Sequence, residues 1–248
     1  HRYIILTKRP ARMREFYDWN YPEASIHTVD ARQDWVGCWG HVVHGISAEN
    51  QETLDARIGW LLAMPGRKLL SLEPLLGPMN LGLGRLKDGC WDAGFVRVNG
   101  RCFRKHLDWV IVGGESGPGA RPMHPDWARS IRDQCVAAGV PFFFKQWGEW
   151  GPCTNQDWHG LGPTGTPQQL AILRTGETCG GFLGDTSTKE AEGWKPIARV
   201  GKKKAGRLLD GREWNETPWD NDGEKGVKGK KSTVEATTAI DSSAVQGV

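Results

Sequence analysis

The chain has 248 residues, with 32 lysines and arginines against 29 aspartates and glutamates and a formal net charge of +3. This length suffices for one large α/β core or two small ones, and the near balance of charges excludes a strongly basic nucleic-acid-binding composition. No stretch approaches the roughly 18 apolar residues of a membrane span, so we expect no membrane contact. The six cysteines are scattered and predict no disulfide framework, which favours the cytoplasm.

Short apolar runs that end in polar or charged residues recur along the first 150 residues. Their lengths are typical of buried strands, and helix-like stretches follow at least two of them. The runs are Tyr3–Lys8, Val42–Ser47, Lys68–Glu73, Trp109–Glu115 and Pro141–Lys145. The sequence therefore predicts an α/β fold with about five parallel strands.

Helix boundaries are marked between these runs. Pro10 is well placed as the first residue of one helix, and Ser47 is the predicted N-cap of the next. A third helix is predicted to begin at Pro125 and to end at Gly139, with His124 as the residue that leads into it.

Composition divides the chain into three parts. Residues 1–150 hold the predicted strands, with an insertion rich in Gly and Arg at about 80–106. Residues 151–214 are rich in Gly and Trp and lack a comparable apolar run, so we predict an irregular extension. Residues 215–248 are predicted to be a disordered tail whose lysines are solvated.

The carboxyl ends of parallel strands lie on one side of a sheet, so polar residues at those ends are expected to converge. Such a mixture of carboxylates, ammonium groups and hydroxyls is able to ligate a cation, hold a ribose diol, pair with an amino-acid headgroup or perform acid–base work. The alternative is a salt-bridged rim that merely closes the sheet end. The residues are Lys8, Ser47, Glu49, Glu73, Glu115, Ser116, Lys145 and Gln146.

Other chemistry is weakly indicated. Cys90, Cys102 and His106 have a spacing compatible with part of a zinc site, but a fourth ligand is not evident. A metal-independent hydrolase lacks a nucleophile motif such as G-x-S-x-G.

Thirteen tryptophans leave two interpretations open. They are able to stack on bases, which with the basic tail would give a non-catalytic nucleic-acid-associated module. The alternative is that they pack irregular loops over a sheet end.

Several motifs together resemble the phage-protein family of unknown function named after gene products thirty-seven and sixty-eight. The resemblance covers about residues 2 to 150, and Ala205–Trp214 is similar to the last part of that family's sequence. The motifs are Leu6–Pro10, Gly45–Gln51, Ser71–Pro78, Asp108–His124 and Phe142–Gly148.

The resemblance implies a relative of radical S-adenosylmethionine enzymes. Full-length members are expected to bind S-adenosylmethionine and a [4Fe–4S] cluster, the latter through a three-cysteine motif in their front half, and this sequence contains no such motif. The chain begins at His1, which the resemblance places in mid-barrel. We therefore expect the C-terminal part of a (β/α) barrel, with an unknown small-molecule or nucleic-acid-derived substrate and a partner polypeptide that completes the barrel.

The resemblance also assigns sides of the site, without a catalytic residue. The implied cofactor-side residues are Gly45, Ser47, Glu49 and Asn50. The implied substrate-side residues are Thr7, Lys8, Glu73, Gly113, Gly114, Glu115, Ser116, Lys145 and Gln146.

Overall fold

The computed structural model describes residues 2–20, 41–64, 66–83, 95–98, 101–104, 106–153, 169–180 and 192–220. Five strands form a wholly parallel sheet whose spatial order follows the chain: β1, β2, β3, β6, β7. The predicted α/β fold with five parallel strands is confirmed. The strands are β1 (Tyr3–Thr7), β2 (Val42–Ser47), β3 (Arg67–Leu72), β6 (Trp109–Gly113) and β7 (Phe142–Gln146).

Three helices connect or flank these strands: α1 (Pro10–Asn20), α2 (Gln51–Leu62) and α3 (Pro125–Ala138). Pro10 and Pro125 occupy the first helical positions, and Gly139 ends α3 with a left-handed φ of 65° that suits a residue without Cβ. His124 is the N-cap of α3. These three features agree with the sequence predictions.

The start of α2 differs from the prediction. Asn50, and not Ser47, is the N-cap, and its side chain accepts a hydrogen bond from the Thr53 amide at 2.9 Å. Ser47 is still the last residue of β2, because that strand pairs with β3 as far as the Ser47–Ser71 register position. The strand therefore extends to the residue from which we expected the helix to start.

The two faces of the parallel sheet have different neighbours. On one face α2 and α3 pack on a continuous buried cluster that includes Ile46, Leu70, Val110 and Phe144. The alternate residues of the same strands form a second, smaller cluster on the opposite face, built on Val43, Leu69 and Trp109 with partly buried Ile4, Ile111, Phe143 and Trp219. We call this second surface the helix-free face, since no described helix covers it.

A second sheet lies in the segment that we expected to be irregular. It has the order β10, β9, β11, β8 with antiparallel pairs, and Ile172 and Ile197 join the main buried cluster. Its strands are β8 (Trp150–Pro152), β9 (Gln169–Ile172), β10 (Thr178–Gly180) and β11 (Lys195–Arg199). The short helix α4 (Lys202–Ala205) follows β11.

The part of the predicted tail that the structure describes is bound to the parallel sheet. Residues 214–219, which we call the closing segment, run beside β7: the Phe144 amide donates to the Trp214 carbonyl at 2.9 Å. Farther along, Trp219 packs on Trp109 with ring centroids 5.6 Å apart, and Arg67 donates to the Pro218 carbonyl at 2.6 Å. Residues 221–248 lie outside the described residues.

The predicted insertion contains a short hairpin-like pair of strands. β4 (Phe95–Val98) and β5 (Arg101–Arg104) pair in antiparallel orientation.

Of the helices that the structure describes, none has the length and apolar character needed to cross a membrane.

Candidate functional site

The first group of polar residues lies at the carboxyl ends of β1 and β2. The Lys8 ammonium lies 2.5 Å from Glu49 Oε1, and Arg57 on α2 lies 3.1 Å from Glu49 Oε2. Arg57 Nη1 also donates to the Ser47 carbonyl at 2.6 Å, which ties α2 to the end of β2. Burial opposes ionisation of Glu49, but the hydrogen bonds and charges of Lys8 and Arg57 outweigh it, so the pKa of Glu49 lies below its ordinary value.

The second group joins the ends of β3 and β7. The Lys145 ammonium donates to Glu73 Oε2 at 2.7 Å, and Gln146 Nε2 donates to Glu73 Oε1 at 2.8 Å. Gln146 Nε2 also lies 3.3 Å from Ser116 Oγ. Both oxygens of Glu73 are therefore engaged from the end of β7, which is separated from β3 by β6 in the sheet.

The third group follows β6. Arg121 binds Glu115 through two parallel side-chain bonds of 2.8 Å, and the Arg121 amide adds a third at 2.7 Å. These hydrogen bonds and the charge of Arg121 lower the pKa of Glu115 to about 2 against partial burial. The pKa of Arg121 is raised, chiefly by the hydrogen bonds that it donates to Glu115 and to a smaller extent by the charges of Glu115 and Glu49. Arg121 thus links the third group to the first electrostatically.

Glycines permit close approach at the end of β6. A Cβ on Gly114 would stand 1.9 Å from the Trp147 carbonyl oxygen, so the chain after β6 touches the chain after β7 directly. At Gly113 the space of a side chain is taken by Glu73, whose Oε1 would lie 3.1 Å from a Cβ. These glycines bring the strand ends together, whereas Gly45 is packed between Leu6 and Leu69.

Two hydroxyls lie side by side between the first two groups. Ser47 and Ser71 are register partners on β2 and β3, on the helix-free face, and are 7 % and 6 % exposed. Within the described part of the chain neither hydroxyl has a hydrogen-bond partner in the protein. Neither Oγ is a fully buried atom without a partner, so water or a polar ligand is able to reach the pair.

Thr7 and Asn50 serve the backbone in this structure. Thr7 Oγ1 accepts from the Arg9 amide at 2.9 Å, and Asn50 caps α2. The other predicted side chains occur in the three groups described above. The sequence analysis did not predict Arg57, Arg121 or Ser71 as site residues. Of these three, only Ser71 had a recognisable signal, namely its position next to the end of a predicted strand.

The rim is defined here by eight residues at the carboxyl end of the parallel sheet. Each of its three carboxylates forms an ion pair with at least one cation. Such pairs are expected both in a rim that only closes the sheet end and in a ligand-binding site. The residues are Lys8, Glu49, Arg57, Glu73, Glu115, Arg121, Lys145 and Gln146.

The tryptophans that the structure describes act mainly as packing residues. Five indole N–H groups donate to backbone carbonyls of loops or of the closing segment, as expected where Trp packs irregular chain over a sheet. These are Trp109 to Glu216, Trp127 to Arg174, Trp147 to Leu208, Trp150 to Ala120 and Trp214 to Leu209. Trp19 differs, with 86 % of its surface exposed.

Among the described residues, no group of three His, Cys, Asp or Glu residues is arranged to hold a metal ion. Cys135 is buried, and burial raises the pKa of its thiol to about 12. Cys90 and the Cys102 side chain lie outside the described residues, and His106 Nε2 is hydrogen-bonded to Asp108 Oδ1 at 3.0 Å.

Comparisons with known proteins identify a family and no individual relative. No curated protein and no solved structure matches the chain. One family model, described as "Protein of unknown function (DUF5131)", matches residues 1–218. Because this match covers most of the sequence, the chain belongs to that family.

Proposed function

We propose that this chain supplies cofactor-side and substrate-side residues of a radical S-adenosylmethionine-like (β/α) barrel enzyme. The observation that carries the proposal is the all-parallel sheet in chain order with its polar rim at the carboxyl ends. Sequential order is what a (β/α) barrel has, whereas doubly wound folds reverse order at a switch point. Helices on one face of the strands, with an apolar opposite face, also suit an arc of a barrel.

S-adenosylmethionine fits the chemistry of the rim and its hydroxyls. Its ammonium group suits the Glu49 carboxylate, and its ribose diol suits the hydroxyls of Ser47 and Ser71. Arg57 fixes the Glu49 carboxylate and the end of β2 together, so this acceptor is held in place before a ligand arrives. When bound and reductively cleaved, this cofactor supplies hydrogen-atom abstraction.

The [4Fe–4S] cluster has no fit among the described residues. Cys135 is buried as a neutral thiol in α3, and Cys153 and Cys179 lie on or beside the second sheet. A cluster needs closely placed thiolates, so we derive no step through it from this chain.

Glu73 is the best candidate to act on a substrate. Lys145 and Gln146 occupy both of its oxygens and orient the carboxylate over Gly113. It therefore is suited to bind or orient a polar substrate group at the β3–β7 side, opposite the Glu49 group.

The test is isothermal titration of the chain with S-adenosylmethionine. We expect saturable binding that Glu49→Gln weakens about tenfold or more, equivalent to about 1.4 kcal/mol. The matched control is Glu15→Gln, since Glu15 is exposed on α1 and its change of charge is identical. An absence of saturable binding, or equal loss in the two variants, contradicts the proposal.

A further inference from the structure

The three ion pairs of the rim share an orientation. In each pair the carboxylate is the inner partner: the side chains of Glu49, Glu73 and Glu115 are 15 %, 21 % and 24 % exposed. Their cations are the outer partners: Lys8, Lys145 and Arg121 are 61 %, 48 % and 61 % exposed. A molecule that approaches the rim therefore meets ammonium and guanidinium groups first.

The inner carboxylates do not fully neutralise the positive charge of this surface. Arg57 is a fourth cation, so the rim has four positive groups for three negative ones. The lowered pKa values of Glu49 and Glu115 show that both carboxylates are stabilised as anions by these partners. With four cations against three carboxylates, the net charge of the rim is positive.

The outer cations are spread along the whole sheet end. Lys8 follows β1 and Lys145 lies on β7, which are the two outer strands of the parallel sheet. Four strand spacings separate them, or up to roughly 19 Å. Arg121 lies between them, near Glu115 and Glu49. A single phosphate cannot contact all three, whereas an extended ligand with repeated anionic groups is able to.

Positive charge continues beyond β7. Arg199 donates to the Gly117 carbonyl at 3.4 Å, and the exposed lysines 202–204 of α4 end just before Gly206, whose carbonyl accepts from the Trp147 amide. One carboxylate, that of Glu149, also lies at this loop, where it accepts from the Gly117 amide. The four cations beyond β7, which are Arg199 and lysines 202–204, outnumber this carboxylate.

An apolar surface lies below the rim on the helix-free face. Ile111 and Phe143 are only partly buried there, and the Arg207 guanidinium lies 5.2 Å from the centre of the Phe143 ring. An unpaired base has a flat face that suits such a surface, whereas a base within a duplex cannot reach it.

We propose that the outer cations of the rim, Lys8, Arg121 and Lys145, bind the phosphate backbone of a single-stranded nucleic acid, which is the substrate of the enzyme proposed above. That the nucleic acid is a substrate rests on the proposed function, whereas the binding surface itself follows from the charge and the exposure of the three side chains. It differs from binding through the tryptophans or the tail, since neither contributes to the rim.

The experiment measures fluorescence anisotropy of a labelled single strand of about ten nucleotides across a salt series. With three phosphate contacts, the logarithm of the binding constant should fall against the logarithm of salt with a slope of about −2. Lys8→Gln, Arg121→Gln and Lys145→Gln should each reduce the magnitude of that slope by about 0.7.

The matched control is Arg212→Gln. Arg212 has a side chain 63 % exposed, close to that of Arg121, but it stacks on Trp214 of the closing segment at 4.0 Å. We expect its slope to equal that of the unmodified chain. Circular dichroism of each variant verifies that the fold is retained.

Several results would overturn the inference. They are no binding at low salt, equal slopes in the rim variants and the control, or competition by a mononucleotide as strong as that by the oligonucleotide at equal phosphate concentration. Titration with S-adenosylmethionine separates the two proposals. Cofactor binding without strand binding removes only this inference, and strand binding without cofactor binding removes only the proposed enzyme.

Discussion

At the amino end of the parallel sheet the chain closes on itself through apolar rings. Trp109 at the start of β6 packs on Trp219, and its indole donates to the Glu216 carbonyl. At the carboxyl end the side chains are charged, paired and partly exposed. The contrast teaches that the two ends of the same strands differ in chemistry: burial of apolar surface stabilises one end, while the other presents the paired charges at which we propose ligand binding.

The largest effect is expected from removal of the aromatic ring at the amino end. Trp109→Ala should cost about 3–5 kcal/mol, because the residue is 3 % exposed and its loss leaves a cavity against Phe143 and Trp219. Denaturant unfolding measures this cost. Trp19→Ala is the control, and its 86 % exposure predicts a change within about 0.5 kcal/mol. Similar losses in the two variants would contradict the described packing.

A smaller effect should follow from filling the contact between the two strand ends at the rim. Gly114→Ala places a Cβ 1.9 Å from the Trp147 carbonyl oxygen and should cost about 1–3 kcal/mol as the backbone moves apart. Gly77→Ala is the matched control, since nothing lies within 4 Å of its Cβ position. Thermal and denaturant unfolding compare the pair. Equal stability of the two variants would show that the strand ends do not touch as described.

The cap of α2 should contribute about 1 kcal/mol. Asn50→Ala removes the side-chain acceptor of the Thr53 amide and hydroxyl, both at 2.9 Å. Denaturant unfolding measures the loss, with Asn20→Ala at the exposed end of α1 as the control. If Ser47→Ala were the more destabilising change, the cap would be misassigned.

The smallest effect concerns pH. The pKa of Glu115 is about 2 in the fold against an ordinary 4.5, so its stabilising contribution is present above pH 4.5 and is lost as pH falls toward 2. The stability difference between the chain and Glu115→Gln should therefore shrink across this range. We expect about 1 kcal/mol in total, since the exposed Arg121 partner is screened by solvent. A difference that stays constant from about pH 6 to pH 3 would contradict the pairing.

Much of the parallel sheet could be predicted because its strands are continuous apolar runs, and β2, β3 and β6 are largely buried in the core. Pro125 and Gly139 likewise set the limits of α3 by local backbone chemistry. The N-cap of α2 was missed although Asn50 and Thr53 have the spacing of a capping box, since strand pairing keeps Ser47 extended.

The second sheet could not be predicted, for a different reason. Its strands are three to five residues long, and β11 pairs with β8 and β9 from distant parts of the chain. Such pairing is decided by tertiary contacts and leaves no periodic pattern. In the candidate site, Lys8, Glu49 and Glu73 stand at strand ends and were named, whereas Arg57 and Arg121 come from a helix and a loop. Only the folded backbone brings those two guanidinium groups to the carboxylates.

The most direct measurement of the central claim is an NMR titration of the isotope-labelled chain with S-adenosylmethionine. The account predicts shifts of the backbone amides of Ser47, Glu49 and Ser71 at the carboxyl end of the sheet. The indole N–H resonance of Trp109 at the amino end should stay unchanged. Shifts that centre on Trp109 and the closing segment, or no shifts at all, would contradict the assignment of ligand binding to the rim.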